Sequence, residues 1–258
     1  MLIDTHAHLD FPELSKDLGQ VIERAKKAGV EKIISVGIDE TSSLSAQRIS
    51  KEFPGIVYAT IGLHPHDAKS LDNDLMDRFK SYLRQGGFIG IGETGLDFAK
   101  AYSSKLDQEE AFRFQLSLSK EFALPVVIHT REAGPDTLRI LKSEDAKGAT
   151  GVIHCFSGDY ELLKAFLDLG FYISFSGIIT FPRAQALRDA VKKCPLDRFF
   201  IETDSPFLAP VPKRGKTNEP SYVKYIAKEV ARLKGIDFEE VCRWSSENAR
   251  ALFKPLKD

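Results

Sequence analysis

The sequence predicts an α/β chain of the (β/α)8 barrel class, also called a TIM barrel, on three observations. Its 258 residues match the ~250 typical of that fold. Eight short apolar runs, each closed by polar or turn residues, recur along it as buried parallel strands do. Segments with apolar spacing near 3.6 separate them.

The first run, Leu2 to Thr5, leads into a helical face of Leu18, Val21, Ile22 and Ala25 that Gly29 terminates. Lys32 to Val36 is the second strand, and the break Pro54-Gly55 precedes the third, Ile56 to Leu63. The next three strands are Phe88 to Ile91, Pro125 to Ile128 and Gly151 to Ile153. A helical face of Leu162, Leu163, Phe166 and Leu167 then runs to Gly170 and the seventh strand, Phe171 to Phe175. After the eighth, Phe199 to Ile201, a loop rich in Pro, Lys and Arg spans Ala209 to Pro220, and helices follow around Tyr222 to Lys234 and Asp237 to Phe253. That loop is long for a connection in a compact fold, which favours a functional reading over a linker. No repeat, charge block or Pro/Ser-rich linker divides the chain, so residues 1–258 read as one domain. A doubly wound open sheet is the competing fold.

Composition narrows the function classes. With 43% hydrophobic and 28% charged residues and 18 Gly plus 12 Pro, disordered and collagen-like chains are excluded. No apolar stretch reaches the roughly 18 residues of a membrane span, and Met1-Leu2-Ile3-Asp4 opens neither a basic nor an apolar leader, so a cytoplasmic protein without a membrane partner is expected. Cys155, Cys194 and Cys242 form no C-x-x-C pair, which suggests neither a disulfide framework nor a zinc finger. A net charge of −1 argues against a broad basic surface for long duplexes. No obligate protein partner is indicated.

The six histidines are placed informatively. His6 and His8 close the first strand, His64 and His66 the third, His129 the fifth and His154 the sixth, and none follows. Glu93 follows the fourth strand and Asp204 the eighth. In a barrel, all these C-terminal strand ends share one face, where active sites sit. Alternation in His6-Ala7-His8 turns both imidazoles to the same side. His6, His8, Glu93, His129, His154 and Asp204 therefore form a ligand set for one or two divalent ions, with Glu93 placed to bridge them. A lone strand-end histidine is ordinarily structural, and His66 stays unassigned. Cys155, next to His154, is expected to point away from the site as a packed thiol.

The segments Asp4-Thr5-His6-Ala7-His8-Leu9-Asp10, Gly62-Leu63-His64-Pro65-His66, Gly90-Ile91-Gly92-Glu93-Thr94-Gly95-Leu96-Asp97, His129-Thr130-Arg131-Glu132-Ala133 and His154-Cys155-Phe156-Ser157-Gly158 occur in order. Glu202-Thr203-Asp204-Ser205-Pro206-Phe207-Leu208, Arg214-Gly215-Lys216-Thr217-Asn218-Glu219-Pro220 and Asn248-Ala249-Arg250-Ala251-Leu252-Phe253 follow. Together they resemble the TatD family of metal-dependent hydrolases, within the amidohydrolase-like barrel superfamily, over nearly the whole chain. The resemblance implies that His6, His8, Glu93 and Asp204 hold one metal and Glu93, His129 and His154 a second. It also implies a deoxyribonuclease acting from the 3′ end of single-stranded DNA, and places His64 near the scissile phosphate as an orienting or proton-donating group.

On that basis a phosphodiester is hydrolysed by water activated between two divalent cations, with Asp204 holding the water or accepting its proton. Mg²⁺ or Mn²⁺ is expected in use, and Zn²⁺ or Ni²⁺ also suits the donors. Arg131, Arg214 and Lys216 are the candidates to hold non-reacting phosphates, and Phe98, Tyr102 and Phe207 to stack on bases. With only a local basic segment available, short or single-stranded ends fit better than long duplexes. The alternatives are a metal-dependent deacylase or amidohydrolase, for example on aminoacyl-tRNA, and a non-catalytic metal protein. Glu93, standing where amidohydrolase relatives often carry a carbamylated lysine, favours the phosphoesterase reading over the first.

Overall fold

The computed structural model describes residues 1–100, 102–143 and 147–257. Eight parallel strands pair in chain order: β1 (Leu2–Ala7), β2 (Val30–Ser35), β3 (Val57–Ile61), β4 (Gly90–Asp97), β5 (Val126–Arg131), β6 (Gly151–Ile153), β7 (Tyr172–Phe175) and β8 (Phe199–Ile201). β1 and β8 meet just beyond the end of β8: Ala7 bridges Ser205, His8 N–H donates to Ser205 O (2.8 Å) and Asp204 N–H donates to His6 O (2.9 Å). The result is a nearly closed (β/α)8 barrel, the predicted class, rather than an open sheet.

The helices are α1 (Pro12–Ser15), α2 (Leu18–Lys27), α3 (Glu40–Glu52), α4 (Asn73–Gln85), α5 (Lys105–Phe122), α6 (Gly134–Leu141), α7 (Tyr160–Asp168), α8 (Gln185–Lys193), α9 (Val223–Lys234) and α10 (Phe238–Leu252). Side-chain caps fix several starts: Asp39 and Ser42 form a capping box on α3, Ser104 and Asp107 one on α5, and Asp72 and Asp159 cap α4 and α7. Gly29 and Gly170 follow the last turns of α2 and α7, as the sequence predicted.

Alternation along the strands divides the core in two. Leu2, Val126, Ile128, Ile153, Phe199 and Ile201 belong to the large cluster shared with the helices. Their neighbours Ile3, Val127, Val152 and Phe200 form a second cluster, with Phe253 and Leu256 from beyond α10. Phe253 also lies against Gly90, the first residue of β4, so the end of the chain closes the N-terminal mouth of the barrel. Only the C-terminal mouth is left for chemistry, in keeping with this fold.

Three strands differ in length from the sequence reading in a way that matters. β1 runs on to Ala7, β4 to Asp97 and β5 to Arg131, so His6, Glu93 and His129 lie within strands rather than after them. β4 extends because its glycines let neighbouring backbones close on it: a Cβ at Gly95, which has φ of +134°, would collide with the carbonyl of His129 on β5.

Candidate metal centre and active site

The C-terminal strand ends gather the six predicted ligands into two adjoining clusters. In the first, His6 Nε2 lies 3.2 Å from His8 Nε2, 3.3 Å from Glu93 Oε2 and 3.8 Å from Asp204 Oδ1. His8 Nε2 lies 3.7 Å from Glu93 Oε2 and 3.5 Å from Asp204 Oδ1. In the second, Glu93 Oε1 lies 2.8 Å from His129 Nδ1 and 2.9 Å from His154 Nε2, which are themselves 3.4 Å apart. Glu93 thus gives one oxygen to each cluster. The His6 and His154 rings stack at 3.9 Å and lock the clusters side by side.

The donor chemistry fits a cation at each place. His8 Nδ1 sits 3.2 Å from the Val36 carbonyl, which only accepts, so the proton is on Nδ1 and the lone pair on Nε2 faces the cluster. His129 Nε2 contacts Asp97 Oδ2 (3.1 Å) and His154 Nδ1 contacts Glu202 Oε1 (3.1 Å), which turns their other nitrogens inward in the same way. Converging lone pairs and carboxylates repel one another unless positive charge lies among them. Nitrogen and oxygen ligands about 2.1 Å from an ion stand roughly 3.4 Å apart at the corners of a tetrahedron, which is the spacing of these atoms.

Without an ion, protons take that place. Burial raises the pKa of Glu93, but His154, His64 and His129 outweigh it and hold the carboxylate well below its usual range. Burial likewise depresses His154, yet Glu93 and Glu202 drive it well above the ordinary imidazole value. His129 is raised by Asp97 and Glu93 against the same desolvation. A cation at His129 Nδ1 and His154 Nε2 must displace those protons, so metal loading is expected to weaken as pH falls and to release about one to two protons per chain near pH 7. Calorimetric titration with Mn²⁺ in buffers of different ionisation enthalpy measures this; a heat independent of buffer would contradict it.

Asp97 and Glu202 stand inside the quoted motifs, yet the sequence reading assigned them no role. Asp97 Oδ2 also lies 3.0 Å from His66 Nε2, which places the unassigned histidine: it braces the carboxylate that orients His129. The available signal for Glu202 was its place two residues before Asp204 in one quoted motif, whereas the pairing of Asp97 with His129 needs the register of β4 on β5. Asp97→Asn is expected to weaken metal affinity or turnover by about 10–100-fold while the fold survives, measured by Mn²⁺ titration and kinetics. Unchanged affinity together with unchanged turnover would remove Asp97 from the centre.

His64 is buried beside this group, with Nε2 3.4 Å from Glu93 Oε1. Its Nδ1 accepts the N–H of His66 (3.1 Å), so the ring hydrogen is on Nε2. Burial, only partly offset by Glu93, pushes the imidazole down to about 4. A neutral ring presenting Nε2–H can donate a hydrogen bond to an oxygen in the cavity.

The clusters open into a cavity of about 720 Å³ whose wall also carries Phe11, Tyr102, Arg131, Cys155 and Phe207. Arg131, at the end of β5, faces this space as predicted. Arg214 does not line it; the guanidinium lies 3.9 Å from the centre of the Phe181 ring. Lys216 is exposed and also absent from the wall. Of the three rings proposed to stack, Tyr102 (55% exposed) and Phe207 (48% exposed) are on the wall, whereas Phe98 packs against the core under Lys105. Cys155 contributes to the wall, and its thiol lies 3.1 Å from Oγ of the buried Ser176. β6 ends at Ile153 and the backbone turns left-handed at Cys155 (φ 45°), so strand alternation does not set its direction. Burial raises that thiol well above its ordinary pKa, which keeps it from being a thiolate donor.

The sequence pattern of the TatD-related DNase family matches residues 3–254, the ligand-bearing strands included. The chain belongs to the TatD family. Among TatD-related proteins, it is 44% identical over 254 residues to YabD of Bacillus subtilis, named an uncharacterized metal-dependent hydrolase, covering 98% of this chain and 99% of that one. It is 34% identical over 258 residues to a protein of Edwardsiella piscicida named 3′-5′ ssDNA/RNA exonuclease TatD, with 98% and 99% covered. The crystal structure of the TatD homologue YJJV from Escherichia coli K12 superimposes with a TM-score of 0.92 at 30% identity, covering 98% of each chain. Family membership and the donor geometry agree on a metal-dependent hydrolase of the TatD type.

Proposed function

We propose that this TatD-family protein is a nuclease that removes nucleotides from the 3′ end of single-stranded nucleic acid by hydrolysing phosphodiesters. The observation that carries the reading is the division of Glu93, one oxygen to each of two ligand clusters, at the floor of an open cavity. The name of the Edwardsiella relative supports the choice of substrate and direction. Divalent cations held by the two clusters supply Lewis acidity and lower the pKa of a water molecule.

The chain's own groups do the rest. Asp204 is half-buried, and although desolvation works against it, His8, His154 and His6 keep its carboxylate ionised, so it can accept the proton of an attacking water. The His64 Nε2–H orients a phosphoryl oxygen, and Arg131 neutralises a non-reacting phosphate from the wall. Tyr102 and Phe207 offer ring faces to the terminal bases without reading their edges. Two cationic residues on the wall, Lys100 and Arg131, suit a strand end better than a long duplex.

The test is purified protein loaded with Mg²⁺ or Mn²⁺, set against labelled single-stranded DNA, RNA and an aminoacyl ester. Stepwise release of mononucleotides from the 3′ end is expected. Ester cleavage without nucleotide release would replace the nuclease reading with the deacylase one.

A further inference from the structure

The basic loop does not line the cavity, and one of its cations, Lys213, stands instead in a second groove of the surface. Buried Asn218 ties the returning end of this loop to the end of β8, donating from Nδ2 to Thr203 O (2.8 Å) and Phe207 O (2.6 Å). Before that return the loop packs on residues 177–181, with Val211 N–H donating to Thr180 Oγ1 (3.0 Å) and Arg214 over the Phe181 ring, while Lys213 reaches the flank formed by α2 and the start of α9. There Lys213, Lys224, Arg24 and Lys27 line a groove of about 340 Å³ with Tyr222 and Tyr225.

Four cations in this groove face one carboxylate, Glu219, on a chain whose net charge is −1. Glu219 is already engaged: Arg24 donates to Oε2 from Nε (2.8 Å) and NH2 (2.7 Å), and Ser221 Oγ–H donates to Oε1. Lys213 Nζ lies 5.2 Å from the centre of the Tyr222 ring and 5.9 Å from that of Tyr225, and Lys224 Nζ lies 5.4 Å from Tyr225. Among the described residues, Lys27, Lys213 and Lys224 have no carboxylate partner. Ammonium groups interleaved with aromatic faces are the elements that hold single strands, phosphate on the cation and base on the ring.

The groove is also near the chemistry. Phe207 stands on the cavity wall and Lys213 in the groove, six residues on, so the two are separated by at most about 20 Å of chain. We propose that this groove holds the trailing phosphates of the single strand whose end lies in the catalytic cavity. The inference rests on the nuclease reading for its substrate, and it adds an outer subsite that makes affinity depend on strand length.

Fluorescence anisotropy on the full chain tests it, with Asp204→Asn protein so that the probe stays intact. The probes are oligothymidylates of about 20 and about four nucleotides, titrated across 50 to 200 mM salt or so. In that protein, Lys213→Ala with Lys224→Ala is expected to weaken the long probe about tenfold, to make its log–log salt slope shallower by about 1.4 and to leave the short probe within about twofold. Lys213→Arg with Lys224→Arg should restore the long probe, which separates a charge effect from misfolding. Equal binding of both probes, equal weakening of both, or an unaltered slope in the alanine protein would overturn the outer subsite. The nuclease reading fails separately, if unsubstituted protein loaded with metal releases no nucleotide from the long probe whatever its affinity.

Discussion

Glu93→Ala is expected to reduce hydrolysis by roughly a thousandfold or more, because losing an outer partner of a ligand alone costs about 10–100-fold and this residue serves both clusters directly. Its Oε2 lies 3.3 Å from His6 Nε2 and its Oε1 2.8 Å from His129 Nδ1, so one truncation removes a ligand from both clusters. Asp204→Asn makes the useful contrast, since Asp204 touches only His6 and His8 of the first cluster. Equilibrium dialysis with Mn²⁺ should then show affinity lost at both clusters for Glu93→Ala and chiefly at one for Asp204→Asn. Far-ultraviolet circular dichroism should be nearly unchanged in both, because the strands that carry these residues are held by their ladders. Activity of Glu93→Ala within tenfold or so of the unsubstituted protein would end the shared-ligand reading.

The second large effect concerns stability. Asp4 is fully buried and joins the first and last strands: Thr203 N–H donates to its Oδ1 (2.8 Å) and Thr203 Oγ1–H to its Oδ2 (2.6 Å). Asp4→Ala leaves two buried donors without their acceptor at the barrel's seam, at about 1–3 kcal/mol for each, so a loss of roughly 2–5 kcal/mol is expected in urea unfolding. Asp4→Asn should be far milder, since its carbonyl keeps the Thr203 N–H and its NH2 faces a hydroxyl that also accepts. The pH dependence follows from burial, which raises the Asp4 carboxyl to about 8 from 3.8 against the hydrogen bonds of Thr203. Between those values the folded chain binds a proton that the unfolded chain does not. The stability contributed by neutral Asp4 is therefore full below pH 3.8 and lost as pH rises through about 8, with a slope of at most about 1.4 kcal/mol per unit. Unfolding of metal-free protein at several pH values, with Asp4→Asn as the reference, isolates this slope. Equal pH dependence in the two proteins would show that Asp4 is not the proton carrier.

Reading the chain alone located all eight strands, the helices of the last quarter and the six residues that converge on the mouth, because each leaves a local trace. Apolar runs, a period near 3.6 and a polar residue closing each strand are properties of neighbouring residues, and barrel arithmetic then places distant strand ends on one face. What escaped depended on contacts between elements. Asp97 reaches His129 and His66 through the register of β4 on β5. Glu202 holds His154 across 48 positions, and Asp4 holds Thr203 across 199. Phe98 and Tyr102 are both rings near one motif, yet one packs against the core and the other faces the cavity.

The eight motifs in order determined the family and the barrel and pointed to a ligand set before any coordinates, since residue identity and strand periodicity are written residue by residue. Tertiary structure decided how Glu93 divides its two oxygens, which nitrogens of His8, His129 and His154 face inward, and that His64 is buried beside Glu93. It also decided that Cys155 sits in a left-handed turn after β6 and that Arg214 and Lys216 stay off the cavity wall. Those outcomes follow from register, a left-handed residue and burial, which exist only after distant strands have met.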